Sequence, residues 1–517
     1  MKALALRVAA VVILVCGPFS AAMAEDCQVA APDKFLPKNG STSAPLNGLP
    51  APATENDCAF YNWAWQEFLF ATQKGYDKRP SFLSYPTIEK AFPKVFSKSG
   101  GKKRDTVEVM SLSVRNIEPI LNVIERVKRS DATLNAGDPV PVLTDGVMQA
   151  SQGGAGAILV DQNHNPIFYT IHVNQVFADF VKANGLDEME RLLADPASED
   201  EKVRALRPVP AELEFRPGAV EFKSSWMIID GPKSNYSNYI VTQAKVPYLK
   251  NEADTAGGGS HLVIDKSRPP RLVNVALLGL HVVGAIDGHP ELIWATFEHS
   301  DAAGNRDIAP AAEANPDPTK TPSQVIGGSD RSYALFEART SVELANKALL
   351  QTIGVNQKFG TATSVYRMFP GASSIQPPED ERVPEAPWED PAVYTLNKHI
   401  GELFTSNDPH KKDWRRNYRL VGAVWMDKPR GDKFDAGQAF PDDDSRLAGE
   451  NRLSNMSMES FTQQPGIGAP NCFSCHDTQA QDQLSQMFPG KQLPPRRINI
   501  SHIFTIVAEK YLASIQH

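Results

Sequence analysis

The chain has 517 residues, with 53 Lys and Arg against 61 Asp and Glu for a formal charge of -8. Its basic residues are interspersed with acids, which argues against a nucleic-acid partner. Apolar residues make up 41%, enough for a sizeable core, while 40 prolines and 34 glycines specify many turns and a loop-rich body.

Residues 1–24 carry Lys2 and Arg7, an apolar run from Val8 to Cys16, and Ala22-Met23-Ala24 as a small-x-small cleavage site. That pattern is an export signal. A lipoprotein reading at Cys16 is weaker, because Val15 stands where a small residue is wanted. Removing the signal takes away two positive charges and no acid, so the charge moves from -8 to -10. Beyond residue 24 no apolar run approaches the roughly 18 residues that span a bilayer. The expected product is a soluble, mildly acidic periplasmic protein. In that oxidising compartment Cys27 and Cys58, left over once Cys16 and the later pair are accounted for, most simply form a disulfide. Such a link would pin the Ala/Pro-rich entry segment and contribute roughly 3 kcal/mol.

Asp57 is placed to cap a helix running to Gln73, with Phe60, Trp63, Ala64 and Phe68 on one face. Aromatic residues at that density predict a core helix. Residues 157–160 and 167–173 flank Asp161-Gln162-Asn163-His164-Asn165-Pro166 and read as a hairpin. A short helix over 175–183 should stop at Asn184-Gly185. Strand patterns follow at 221–229, 239–244, 273–283, 292–297 and 418–426. Ser341 reads as the cap of a helix to about Gln351, and the Pro-rich stretches 307–322 and 377–391 read as excursions or linkers. Strands and helices do not alternate regularly. The expected class is therefore α+β, a large loop-rich body with an antiparallel sheet plus a small, mainly helical C-terminal segment. We divide the chain into the signal at 1–24, a body at 25–440 and a C-terminal segment at 441–517.

Two stretches of the body draw attention. His281 to His299 folds as a hairpin about Asp287-Gly288; with a two-residue turn, Trp294 lies opposite His281 and Glu298 shares its face. Three histidines and two glutamates there suit a pocket or metal site, against the plainer reading of a turn and a sheet histidine. Lys411, Lys412, Arg415 and Arg416 are either a solvated helix face or a docking patch for an acidic redox partner.

The most specific signal is Asn471-Cys472-Phe473-Ser474-Cys475-His476-Asp477, a C-x-x-C-H sequence. It reads as a covalent haem attachment site: two thiols one turn apart reach the vinyl groups of one porphyrin, and the next residue offers its imidazole to the iron. A tetrahedral zinc site lacks two further closely spaced ligands, a thioredoxin-like pair lacks chain for a βαβ unit, and a disulfide remains the plain alternative. Met487, Met458, Met456 and His502 are the candidates for a sixth iron ligand, Met487 first. Residues 500–515 predict an amphipathic helix capped by Ser501, with Ile503, Phe504, Val507 and Tyr511 on the face turned to the porphyrin.

On Cys472, Cys475 and His476 the chain resembles the bacterial c-type cytochromes. The resemblance implies thioether bonds at both cysteines, one covalently attached haem c, and His476 as proximal ligand. The motif, with Val220 to Trp226 and Trp294 to His299, is also similar to a group of large secreted mono-haem bacterial proteins. Usual small cytochromes carry the motif early, and here it comes late. The expectation is electron transfer with a periplasmic redox partner protein. A haem-dependent peroxidase or oxidoreductase, with a small-molecule substrate in the body, is the alternative. A haem-bearing sensor is a third class. Size favours the enzyme, since a shuttle needs about 100 residues; the absence of a recognised catalytic constellation favours the carrier.

Overall fold

In the computed structural model the described residues are 27–29, 57–74, 79–97, 142–143, 158–230, 236–253, 260–265, 267–300, 308–312, 325–326, 333–347, 352–368, 391–406, 413–428, 435–438, 446–450, 453–462, 472–481, 484 and 488–515. The expected export signal at 1–24, Met487, Lys411, Lys412 and nearly all of 377–391 lie outside them.

The architecture is α+β and rests on one eight-stranded sheet. Its strands are β1 (Val142–Leu143), β2 (Phe168–Val173), β3 (Val220–Ile228), β4 (Val241–Val246), β5 (Arg271–Ile286), β6 (His289–His299), β7 (Tyr418–Lys428) and β8 (Arg446–Gly449). β5 is the axis. It carries β3 along one edge, and β6 and β4 in succession along the other. β2 extends the β3 side, and β7 then β8 extend the β6 side. All these pairs are antiparallel except β1 with β4. β5 and β6 are buried on both faces over most of their length, so they read as nearly continuous apolar runs.

One face is covered by α1 (Asp57–Thr72) and α3 (Pro391–Ser406). α1 is apolar almost all round, because it lies under α3 and over the sheet rather than at the surface. Phe60 stacks on Trp425 at 4.1 Å and Phe68 on Phe297 at 4.3 Å. Asn397 joins the three layers: its amide oxygen accepts from Trp65 Nε1 at 3.0 Å while its Nδ2 donates to the Leu420 carbonyl at 2.9 Å. The sulfurs of Cys27 and Cys58 lie at bonding distance with their Cα atoms 5.4 Å apart, which ties the entry segment to the first turn of α1. Asn62 adds hydrogen bonds to the Gln28 and Cys58 carbonyls.

The other face carries the C-terminal segment. β8 belongs to the main sheet, residues 453–462 lie across its polar middle, and α4 (Ile503–Ile515) packs beside them. α2 (Gln175–Asn184) flanks the same cluster; Asn174 caps it and Gly185, in the left-handed region at φ 62°, ends it.

Three local expectations change. Residues 158–160 do not pair with 167–173 as a hairpin. They make one bridge, Val160 to Pro166, while the Asp161 carboxylate folds the loop by accepting from the Asn163 and Asn165 amides, and β2 pairs with β3. The helix expected from Ser341 closes a single turn. Asn346 sits at φ 55° and gives its N–H to Ser364, so tertiary pairing takes the donor that the next helical turn would need. α4 starts at Ile503 rather than 500, after a short 3₁₀ turn over Arg497–Ile500.

Gly279 of β5 lies under residues 455–457, and a Cβ there would stand 2.7 Å from Asn455 Nδ2 and 2.8 Å from both Asn455 Oδ1 and Ser457 Oγ. Those atoms are held in a buried hydrogen-bond network and do not move freely. Gly279→Ala should cost about 1–3 kcal/mol, read as a lower denaturant midpoint at unchanged slope; an unchanged midpoint would show that the overlying segment is not locked in place.

Candidate functional site

Three rows of side chains cross the sheet face that the C-terminal segment covers, because residues paired directly across strands share a face. The first row is Val173, Glu221, Val283, Trp294 and Val424. The second is Ile171, Lys223, His281, Thr296 and Gly422. The third is Tyr169, Ser225, Gly279, Glu298 and Arg419. In the sequence this is legible at β3, where Glu221, Lys223 and Ser225 alternate with Phe222 and Ser224.

The C-x-x-C-H motif lies over the first row. Cys472–Ser474 form one 3₁₀ turn, and the Cys475 and His476 amides both donate to the Cys472 carbonyl, at 3.1 and 3.0 Å. That turn sets the two thiols and the imidazole on adjoining positions. Phe473 is the buried anchor and meets Trp294 edge-on at 6.2 Å. The His476 ring lies between Trp294 at 4.1 Å and His502 at 3.8 Å. Its Nδ1 is 2.9 Å from the Ile500 carbonyl, so Nδ1 carries the proton and Nε2 keeps a lone pair. Burial and the neighbouring His502 push the His476 pKa well below its ordinary value, with the Ile500 carbonyl opposing. The imidazole is therefore neutral at neutral pH, the form that ligates a metal.

Neither motif cysteine is in a disulfide, although Cys27 and Cys58 are paired in the same chain. Burial and then Glu459 raise the Cys472 pKa strongly, and burial with Glu459 and Asp477 raises that of Cys475. Both remain thiols.

Residues 453–462 lie over the third row. Asn455 Nδ2 donates to Thr296 Oγ1 at 2.9 Å and to the Phe297 carbonyl at 3.1 Å. Ser457 meets Ser225 through their hydroxyls, and the Tyr169 hydroxyl donates to the Ser457 carbonyl at 2.6 Å. The Glu298 carboxylate accepts the Met456 amide at 2.7 Å and pairs with the buried Arg367, whose other guanidinium nitrogen donates to the Ser454 carbonyl at 2.7 Å. Glu459 closes the segment, with one oxygen on the Asn455 amide at 2.7 Å and the other 2.9 Å from His281 Nε2. Burial opposes ionisation of Glu459, yet His281, Lys223 and the Asn455 amide together hold its pKa below the ordinary value.

The structure redistributes the sequence candidates. His281 pairs with Thr296 rather than with Trp294, because β6 carries two extra residues past the Asp287-Gly288 turn, with Leu292 at φ 71°. Glu298 does share the His281 face, but it is spent on Arg367 and the Met456 amide. His289 is held by Glu291 at 2.7 Å, and His299 stacks on Tyr239 at 3.6 Å; both are buried, packed side chains. Met456 and Met458 are buried with Leu159, Ile167, Tyr169, Met227 and Leu278, so they fill core volume rather than face the motif. His502 stacks beside His476, with Nε2 2.9 Å from the Cys475 carbonyl. The apolar face of α4 goes to Phe92, Phe177 and Phe215 through Phe504. Arg415 turns inward to Asp413 and the Leu69 carbonyl, which removes it from any docking patch. Sequence reasoning missed Lys223, Glu459 and the Ile500 carbonyl. The alternation in β3 was the available signal for the first; the others depend on chain crossing from distant positions.

Comparison with protein-family models, with curated proteins and with solved structures yields no match. Fold and site therefore rest on the chemistry of this chain. A haem c suits the donor set: two thiols one turn apart outside any disulfide, and one neutral imidazole whose Nε2 has no partner among the described residues. Among the described residues no group of three or more His, Cys, Asp or Glu converges as a bare ion would require, whereas a porphyrin brings four nitrogens of its own and asks for one protein ligand.

Two outcomes follow. Glu221 accepts from the Ser501 hydroxyl at 2.6 Å, and burial raises its pKa from 4.5 to about 7 with that hydroxyl and Lys223 opposing. The native state thus holds this proton more tightly than the unfolded chain. The resulting stability is full below pH 4.5 and is lost as pH rises through about 7. Glu221→Gln should gain stability relative to the parent over that interval in chemical denaturation; a difference constant with pH would contradict the assignment. Arg367→Met should cost about 3–5 kcal/mol by leaving the Glu298 carboxylate buried without its partner, and Arg367→Met with Glu298→Gln should recover much of that loss.

Proposed function

We propose that this protein is a periplasmic mono-haem c-type cytochrome that takes part in electron transfer. The observation that carries the reading is the state of His476, neutral, tied at Nδ1 to the Ile500 carbonyl and with no partner at Nε2 among the described residues, next to two thiols outside any disulfide. Cys472 and Cys475 would hold haem c through thioether bonds, and His476 would be its proximal ligand. A bound haem c supplies a one-electron couple. The chain's own residues do the rest: Ile500 fixes the imidazole tautomer, Trp294 and His502 fix its plane, and the sheet beneath limits water. The export signal supports the periplasm, and among the described residues no helix is long and apolar enough to cross a membrane.

A haem-dependent peroxidase or oxidoreductase is the second reading. What favours it is the trio Lys223, His281 and Glu459, titratable groups beside the motif of the kind that move protons in catalysis. An optical spectrum separates the two. A low-spin iron indifferent to carbon monoxide is expected for the carrier, and a high-spin iron that binds carbon monoxide supports the enzyme.

The attachment itself has a sharper check. Replacing Cys472 and Cys475 together by Ala should abolish haem that survives denaturation. His476→Ala should retain covalent haem with an altered spectrum. Denaturation-resistant haem in the double variant, or an unchanged spectrum in His476→Ala, would sink the reading.

A further inference from the structure

The middle row of the sheet face lies between the two strips that cover it, the motif on one side and residues 454–458 on the other. Two of its polar members are engaged: His281 by Glu459 and Thr296 by Asn455. Lys223 is not. It is partly buried, directly across from His281, and it makes no hydrogen bond or ion pair with any described residue. Its ammonium stands 6.0 Å from the Tyr169 ring. The carboxylates near it are already used, Glu459 by His281 and the Asn455 amide, and Glu221 by Ser501. Burial lowers the Lys223 pKa while Glu459, Glu221 and Cys472 oppose that shift, which places this cation in the field of the motif itself. A cation held partly out of water with no acceptor among the described residues gains from a charge-assisted hydrogen bond to an incoming anion.

We propose that Lys223 seats a carboxylate of the group bound at Cys472, Cys475 and His476, namely a porphyrin propionate. This rests on the haem reading above. The chemistry recognised is a carboxylate, and a free small carboxylate entering from solvent presents the same group. A propionate is favoured because Lys223 stands in the row next to the one the motif covers, on the same sheet face. The pair sets the redox centre as well as holding it. A cation beside the iron favours its reduced form, so loss of Lys223 lowers the midpoint potential.

The test uses the full exported holoprotein, with Lys223→Met and Lys223→Arg compared with the parent. Covalent haem is measured after denaturation, the fold by circular dichroism, the midpoint by optical redox titration, and acetate binding by calorimetry at fixed ionic strength. The expected result is full haem loading, a lower midpoint in Lys223→Met that Lys223→Arg restores, and no acetate binding to the parent. Saturable acetate binding to the parent that Lys223→Met abolishes would instead make a free carboxylate the ligand and overturn the propionate assignment. Full loading with an unchanged midpoint overturns it too, leaving the haem reading intact. Should Lys223→Met fail to fold, Lys223→Gln takes its place in the same measurements. Absence of denaturation-resistant haem in the parent sinks the proposed function and this assignment together.

Discussion

The arrangement of the candidate site depends on one close approach, that of residues 455–457 to the backbone of β5 at Gly279. With no side chain there, Asn455 reaches Thr296 and the Phe297 carbonyl, and Ser457 reaches Ser225. Polar atoms in that contact need protein partners, because Asn455 and Ser457 are fully buried. Asn455, Ser457 and Glu459 meet that demand, and in doing so they fix where the chain leaves for the motif. The buried pair of Arg367 and Glu298 adds a second clamp from a distant part of the chain. Such a pair is weak as a source of net stability, but each partner is costly to leave alone, so it specifies this docking over others.

The two faces of the sheet divide the labour. Against α1 and α3 the contact is almost wholly apolar and aromatic, the region where burial supplies the bulk of the stabilisation. Against the C-terminal segment the contact is mixed, with apolar clusters at either side and a polar band between. That band holds the ionisable groups of the site. Their pKa values move in different directions for identifiable reasons: Glu221 rises because burial outweighs the Ser501 hydroxyl, and Glu459 falls because His281, Lys223 and a backbone amide outweigh burial. Groups whose pKa values are separated in this way mark functional positions more often than packing alone does.

The C-terminal segment is not an appendage on the body. It gives β8 to the main sheet and spreads across its face, so the motif borrows its surroundings from β3, β5 and β6. A chain that uses several hundred residues to frame a single motif can tune the environment of that motif in ways a small carrier cannot. Burial, hydrogen bonding at the imidazole and a nearby cation are the levers this arrangement offers.

By itself the sequence determined the α+β class and most of the sheet strands, and it carries the C-x-x-C-H motif on which the proposed haem attachment rests. These are local matters: strand patterns extend over one segment, and Cys472, Cys475 and His476 lie within one turn of chain. It also placed the α2 stop at Gly185, since a left-handed residue ends a helix wherever the chain goes next. What the tertiary structure decided was everything that depends on register or on distant chain crossing. Two extra residues in β6 moved Trp294 away from His281 and under His476, and Asn346 gave up its helical role to bond Ser364. Pairing of Arg367 with Glu298, and of Glu459 with His281, joins residues 69 and 178 positions apart. No local pattern encodes such contacts, because they follow from how whole elements pack and from the need of each buried polar group for a partner.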